Sequence, residues 1–326
     1  MPIRRRVLLA TPAFFPAVRA GAQTTWPERP LRIIVPFAAG GGQDITARIL
    51  AEPLRAAFGQ AVVVENRPGA SGMIGAQYVA QAPADGTTLL LAGAGETAIN
   101  QHLYKDKMAY DPLRDLRPVS LVGKVPVVVM AWPEAPFRDM AGLVAYARAN
   151  PGKLSYSSSG TGNAQHLCGE LLNRIAGIDT VHVPYRGSAP ALLDTATGRV
   201  QFGYNSLASG LTLIREGRIR VLAVTSKERM PQLPDTPSIS EVPGLASYEL
   251  VNYFGVFVSA ATPEPIQQRL NAALVGMQAA GPIREKLSEQ GLLPQTMNLS
   301  EASAYIVQES AKFGKLVAEA GVTPDS

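Results

Sequence analysis

The chain has 326 residues, 46% of them apolar, a formal net charge of +4 and one cysteine. That supports a sizeable core and is more than one compact domain comfortably holds, so two domains are expected. Cys168 alone excludes an intramolecular disulfide, and no basic stripe with interleaved aromatics points to nucleic acid.

Taken in order, the chain opens like an export signal. Arg4, Arg5 and Arg6 precede a mostly apolar run from Val7 to Val18 and the small triplet Ala20-Gly21-Ala22. Cleavage is expected after Ala22, and the arginine pair also hints at twin-arginine export. Pro12 and Pro16 argue against a buried helix there. With Arg19, this segment holds four arginines and no acid, so the remaining chain is balanced in charge. No later apolar run approaches the length of a membrane span.

From Leu31 onward, β-branched runs alternate with helical patterns, the mark of an α/β domain with a largely parallel sheet. Strands are expected at 31–36, 61–65 and 87–92, with helices at 43–58 and 72–82. "VPVVVMAW" within 112–132 reads as a buried strand crossing between domains. A second series follows: helices near 138–149, 163–176 and 188–197, and strands near 153–157, 179–183, 199–204 and 219–225. After a proline-rich connection at 229–247, "YELVNYFGVFVSA" is a second long apolar strand able to return across the boundary. Thr262-Pro263 then opens a helical tail with runs near 263–280, 282–290 and 299–320.

Two stretches echo each other. "LRIIVPFAAGGGQDITARIL" and "KLSYSSSGTGNAQHLCGELL" each run from a strand through a small, glycine-bearing loop into an amphipathic helix. One falls in each expected lobe, which places both loops at the carboxyl ends of their sheets, facing a cleft. Glycines let backbone approach a ligand, and the free N–H groups of a helix's first turn form an anion site. A structural turn that starts a helix, with Asp44 favourable in the first turn, is the competing reading.

The spacing argues against phosphate. After Gly40 and Gly42 the third fingerprint position is Ile45; after Gly160 and Gly162 it is Gln165; and neither loop is followed by Gly-Lys-Ser/Thr. A carboxylate or carbonyl ligand suits the hydroxyls of Ser157, Ser158, Ser159 and Thr161, with Asn163 as helix cap. A third unit, His182 to Pro190, again meets a Gly-Ser helix start, and Arg186 there could clamp a carboxylate or face solvent.

Catalytic signatures are missing. There is no Gly-x-Ser-x-Gly elbow, and "GASG" at Gly69–Gly72 falls one residue short of it. His166 and Cys168 lie two apart, on different faces of a helix, and His102, His166 and His182 have no metal-ligand spacing. Cys168 reads as a small buried side chain.

The motifs together resemble the Bug family, the extracytoplasmic solute receptors of tripartite tricarboxylate transporters. From about Trp26 to Gly321 they run, in the family's order, "RPLRIIVPFAAGGGQDITAR", "VVVENRPGASGMIGAQYVA", "DGTTLLLA", "YDPLRDLRPVSLV", "NPGKLSYSSSGTGNAQHLCGE", "HVPYRGSAPALLDTATGRV", "LAVTSKERMPQLPDTPSISEV" and "FGVFVSAATP". The resemblance implies an α/β fold of periplasmic-binding-protein type II, with two lobes joined by two crossing strands and a ligand cleft between them. Residues 26–122 with 256–326 would form one lobe and 123–255 the other.

It further implies a monomeric periplasmic receptor, not an enzyme. Without cofactor or metal, it would capture a small organic carboxylate and hand it to membrane permease subunits. A sensing receptor that docks on a signalling protein is the alternative. The implied ligand-binding residues are Phe37, Ala39, Gly40, Gly41, Asp44, Ser158, Ser159, Thr161, Gly162, Asn163, His166, Tyr185 and Asn205. Three departures bear on the ligand. Asn205, in Tyr204-Asn205-Ser206, is neutral where amino-acid binders would place an acid, so a ligand without an amino group is expected. Tyr253 replaces a common tryptophan in the second crossing strand, and "AGAGETAIN" puts Glu96 where neutral residues are usual.

Overall fold

The computed structural model describes residues 26–279 and 281–323; the expected export signal at 1–22 lies outside them. The strands, in chain order, are β1 Leu31–Val35, β2 Val62–Asn66, β3 Thr88–Ala92, β4 Leu116–Ala131 and β5 Leu154–Ser158, then β6 Thr180–Pro184, β7 Phe202–Ser206, β8 Arg220–Val224, β9 Val251–Ser259 and the short β10 Leu293–Pro294.

Two half-sheets share one strand. The path runs β2-β1-β3-β9-β4-β7-β5-β6, with β8 and β10 also paired to β4. In the first half β1 lies parallel between β2 and β3, and in the second β5 lies parallel between β6 and β7. The two stretches that echo in sequence are therefore topological equivalents, each a central strand with its loop and helix. The expectation of a largely parallel sheet needs one correction, since β9 and β4 enter antiparallel. A strand that crosses between lobes arrives against the direction of the βαβ series it joins.

The sixteen-residue β4 carries the handover. It pairs with β9 from Leu116 to Pro126, then with β7 and β8 from Val127 to Ala131. The expected lobe edges at 122/123 and 255/256 fall within the β4–β9 pairing. Nearly every residue of β4 is buried, which explains why its valine run reads without alternation.

Helices cover both faces. Gly42–Phe58 sets Ala47, Leu50 and Leu54 against β1 and stops at Gly59, whose left-handed φ of 67° lets its N–H cap Arg55. Ala164–Ala176 buries Leu167, Leu171 and Leu172 in the same way beneath the second half-sheet. The closing helix Leu299–Ala320 begins with an Asn298–Glu301 capping box and packs Ile306, Phe313 and Val317 into the larger core. Two expectations fell short here. The segment Gly95–Leu103 forms a π-helical turn running into a short helix, and Leu207–Arg215 is a helix; neither was expected.

Candidate functional site

The carboxyl ends of β1, β3, β5, β6 and β7 meet at one place, the crevice expected of open α/β sheets. There the lobes form a small inner chamber of about 50 Å³, which shares Phe37 and Ser159 as lining with a neighbouring outer chamber of about 470 Å³. A single water needs about 10–15 Å³ of such space. The inner chamber thus has room for the polar groups of a small ligand.

Four helices of nine residues or more begin at the inner chamber: Gly42–Phe58 from the first lobe, and Ala164–Ala176, Ser188–Ala196 and Leu207–Arg215 from the second. Gly41, Gly187 and Ser206, which precede three of them, make no side-chain cap. Their first-turn N–H groups are left to the chamber, and the aligned dipoles favour an anion there. Only at Asn163 is the cap filled, its Oδ1 accepting from the His166 N–H at 3.0 Å. Among the described residues, no Lys, Arg or His lines this chamber.

The expected binding residues separate into three groups. Phe37, Gly41, Ser159 and Asn163 line the inner chamber, and Asn163 Nδ2 donates to Ser159 Oγ at 3.0 Å. Thr161 and Tyr185 line the outer chamber, with the exposed Arg186 beside them. Ala39, Gly40, Asp44, Ser158, Gly162, His166 and Asn205 line neither.

Most of this third group builds the loops instead. The Asp44 carboxylate accepts from Arg48 Nε and Nη2, the Gly40 N–H and Asn66 Nδ2. Burial works to raise its pKa, but these bonds together outweigh it and hold the carboxyl below the usual aspartate range. Ser158 pairs with His182 Nε2 at 2.7 Å. His166 Nδ1 accepts from the Gly162 N–H at 3.1 Å, and the ring stacks on His182 with centroids 3.8 Å apart. Burial, then the neighbouring His182, pushes His166 down to about 3, so it is neutral and structural. Asn205 is fully buried on the face of β7 opposite Ser206, which does line the chamber.

Tyr253 is likewise off the cavity; its hydroxyl meets Thr97 Oγ1 at 2.7 Å, while its neighbours Asn252 and Phe254 line the chamber. Ser188, Ser206, Gln43 and Gln165 were not in the expected set. The signal was present in sequence: Ser188 and Ser206 close strand-to-helix junctions of the same kind as the two glycine loops. Glu96 does face the chamber. No group of His, Cys, Asp and Glu capable of holding a metal ion occurs among the described residues.

Two similar α/β halves closing on a buried, anion-favouring chamber define a solute-binding protein of the two-lobe class. The chain belongs to the tripartite tricarboxylate transporter receptor family, whose model, "Tripartite tricarboxylate transporter family receptor", matches residues 46–322. Receptors of this family are periplasmic solute-binding proteins rather than enzymes.

Among relatives, a protein encoded between tcbD and tcbE of Pseudomonas sp. strain P51 is 37% identical over 97% of this chain and 94% of its own. Protein BugT of Bordetella pertussis strain Tohama I is 33% identical over 91% of each chain. Rpa4515 of R. palustris, solved with adipate, superposes with a TM-score of 0.89 at 36% identity, covering 91% of this chain and 99% of its own. MatC from Rhodopseudomonas palustris, solved with bound malate, gives 0.82 at 28% identity over 90% and 100%.

Proposed function

We propose that this receptor, exported and cleaved near Ala22, works as a monomer that closes its lobes on a small organic carboxylate. It then delivers that carboxylate to the permease subunits of a tripartite tricarboxylate transporter. The observation that carries this reading is the convergence of four helix N-termini, three without side-chain caps, on a chamber lined by no cationic side chain among the described residues. Such a chamber binds an anion through N–H groups and dipoles, and one from each lobe must be present at once. The relatives solved with adipate and malate support a carboxylate as that anion.

Closure follows from differential binding. A ligand shifts the lobes only by binding the closed state better, and roughly a 10⁴-fold preference converts mostly open to mostly closed. Donors from Gly42–Phe58 and from the three second-lobe helices reach one carboxylate together only when the cleft is shut. Calorimetric titration with adipate, malate and their neutral diamides tests the reading. Binding of at least one acid, with no binding of its amide, is expected; equal affinity for acid and amide would overturn it. The natural ligand is to be identified by native mass spectrometry of receptor purified from its host.

A further inference from the structure

Glu96 is the one ionisable side chain among the described residues lining the inner chamber. It is 1% exposed. Its Oε2 accepts from the Gly93 N–H at 2.9 Å, and Oε1 lies 3.5 Å from Gln43 Nε2, at the weak end of hydrogen bonding. The backbone makes room for the carboxyl. Gly72 sits at φ 86°, and a Cβ there would come within 2.6 Å of Glu96 Oε1 and 2.7 Å of its Cγ.

No cationic side chain among the described residues pairs with this acid. The ionisable groups packed around it are Tyr110, whose hydroxyl donates to the Glu96 carbonyl at 2.7 Å, and Tyr253, bonded to Thr97; burial keeps both phenols neutral. Burial pushes the Glu96 carboxyl up to about 7. Its second oxygen has only the long Gln43 contact from another side chain and packs against Gly72, and the residue lines the chamber a ligand must fill. The expectation of a ligand without an amino group rested on Asn205, which lies off the cavity.

We propose that Glu96 sets the specificity of this cleft: it receives a hydrogen-bond donor of the ligand, an ammonium or hydroxyl, and turns away a ligand that would place a second carboxylate against it. The substrate class is then a monocarboxylate bearing such a donor. This rests on the reading of the cleft as a carboxylate site. One carboxylate meets the helix N-termini, and the donor meets Glu96 at the chamber's other polar wall.

The test uses two matched pairs in which one end group changes, succinate with 4-aminobutyrate and adipate with 6-aminohexanoate, titrated into wild-type and Glu96→Gln receptor. At pH 8 the wild type is expected to favour an amino acid over its paired diacid by at least tenfold, and Glu96→Gln to erase that preference. In the wild type alone, affinity for a diacid should rise about tenfold from pH 8 to pH 6 as Glu96 becomes neutral. This second reading does not depend on how the variant folds. Diacid binding that is flat with pH, or an equal preference in both proteins, overturns the role of Glu96 and leaves the carboxylate site standing. Failure of all four acids to bind the wild type overturns the carboxylate reading itself, and this inference with it.

Discussion

His166 shows how a residue can belong to a binding loop without meeting the ligand. Its neutral ring takes the Gly162 N–H on Nδ1 and so fixes the turn that presents Thr161 and Asn163. An unfolded histidine takes up a proton near pH 6.5, about its ordinary value, whereas here the folded value is pushed down to about 3. Between those values the unfolded chain holds the extra proton. The stability contributed by His166 is therefore complete above about pH 6.5 and is lost as pH falls toward 3. Urea unfolding at pH 7 and pH 5 should show a loss of up to about 1.4 kcal/mol per pH unit from this group, and His166→Asn should flatten that slope. Asp44 has the opposite chemistry and the same supporting role. Asp44→Asn should cost on the order of 2 kcal/mol at pH 7, and the deficit should shrink as acid protonates the wild-type carboxylate. The residue types at both positions suggest a ligand contact, yet the sequence does not reveal their partners. Asn66 arrives from β2 and His182 from β6, and those distant partners engage Asp44 and Ser158, which line neither chamber, while Ser159 and Asn163 of the same loop do line the inner one.

At the scale of elements, the glycine loops do two jobs. Gly40, at φ 81°, makes the left-handed turn that brings its N–H to Asp44. Gly42 acts through size, because a Cβ on it would lie 2.4 Å from Ser206 Oγ and 3.0 Å from Ser206 Cβ across the cleft. Glycine at the start of the helix Gly42–Phe58 thus permits the opposite lobe to close, besides baring N–H groups. Gly42→Val should leave the circular dichroism spectrum unchanged. It should weaken carboxylate binding at least tenfold, about 1.4 kcal/mol, and abolish ligand-induced compaction in solution scattering. Undiminished compaction would mean that Ser206 gives way. The strands and long helices were legible because their apolar runs are continuous and their stops are glycines and prolines. The turn Gly95–Leu103 was not, because "GETAINQHL" carries neither period clearly and the segment packs against the distant helix Leu299–Ala320.

For the whole molecule, the internal echo was the most informative feature of the sequence. It anticipated two like half-sheets with facing loops, while the antiparallel handover within β4 depends on long-range pairing that no local pattern encodes. In the structure the lobes touch: Ser71 Oγ donates to the Thr161 carbonyl, Tyr104 reaches the same oxygen, and a Cβ on Gly95 would stand 3.5 Å from that of Asn163. That separation lies at the near edge of the range for disulfide-bonded cysteines, about 3.5–4.5 Å. Gly95→Cys with Asn163→Cys should therefore form a bond across the cleft on mild oxidation, at the cost of the Asn163 cap, about 1 kcal/mol. The native Cys168 will not compete, since it is buried and its thiol is pushed up to about 12. The oxidised protein should scatter as a compact particle whether or not a carboxylate is added, and reduction should restore the open form. An oxidised protein that still expands would show that closure does not bring Gly95 to Asn163, and with it that the inner chamber is not made by the two lobes meeting.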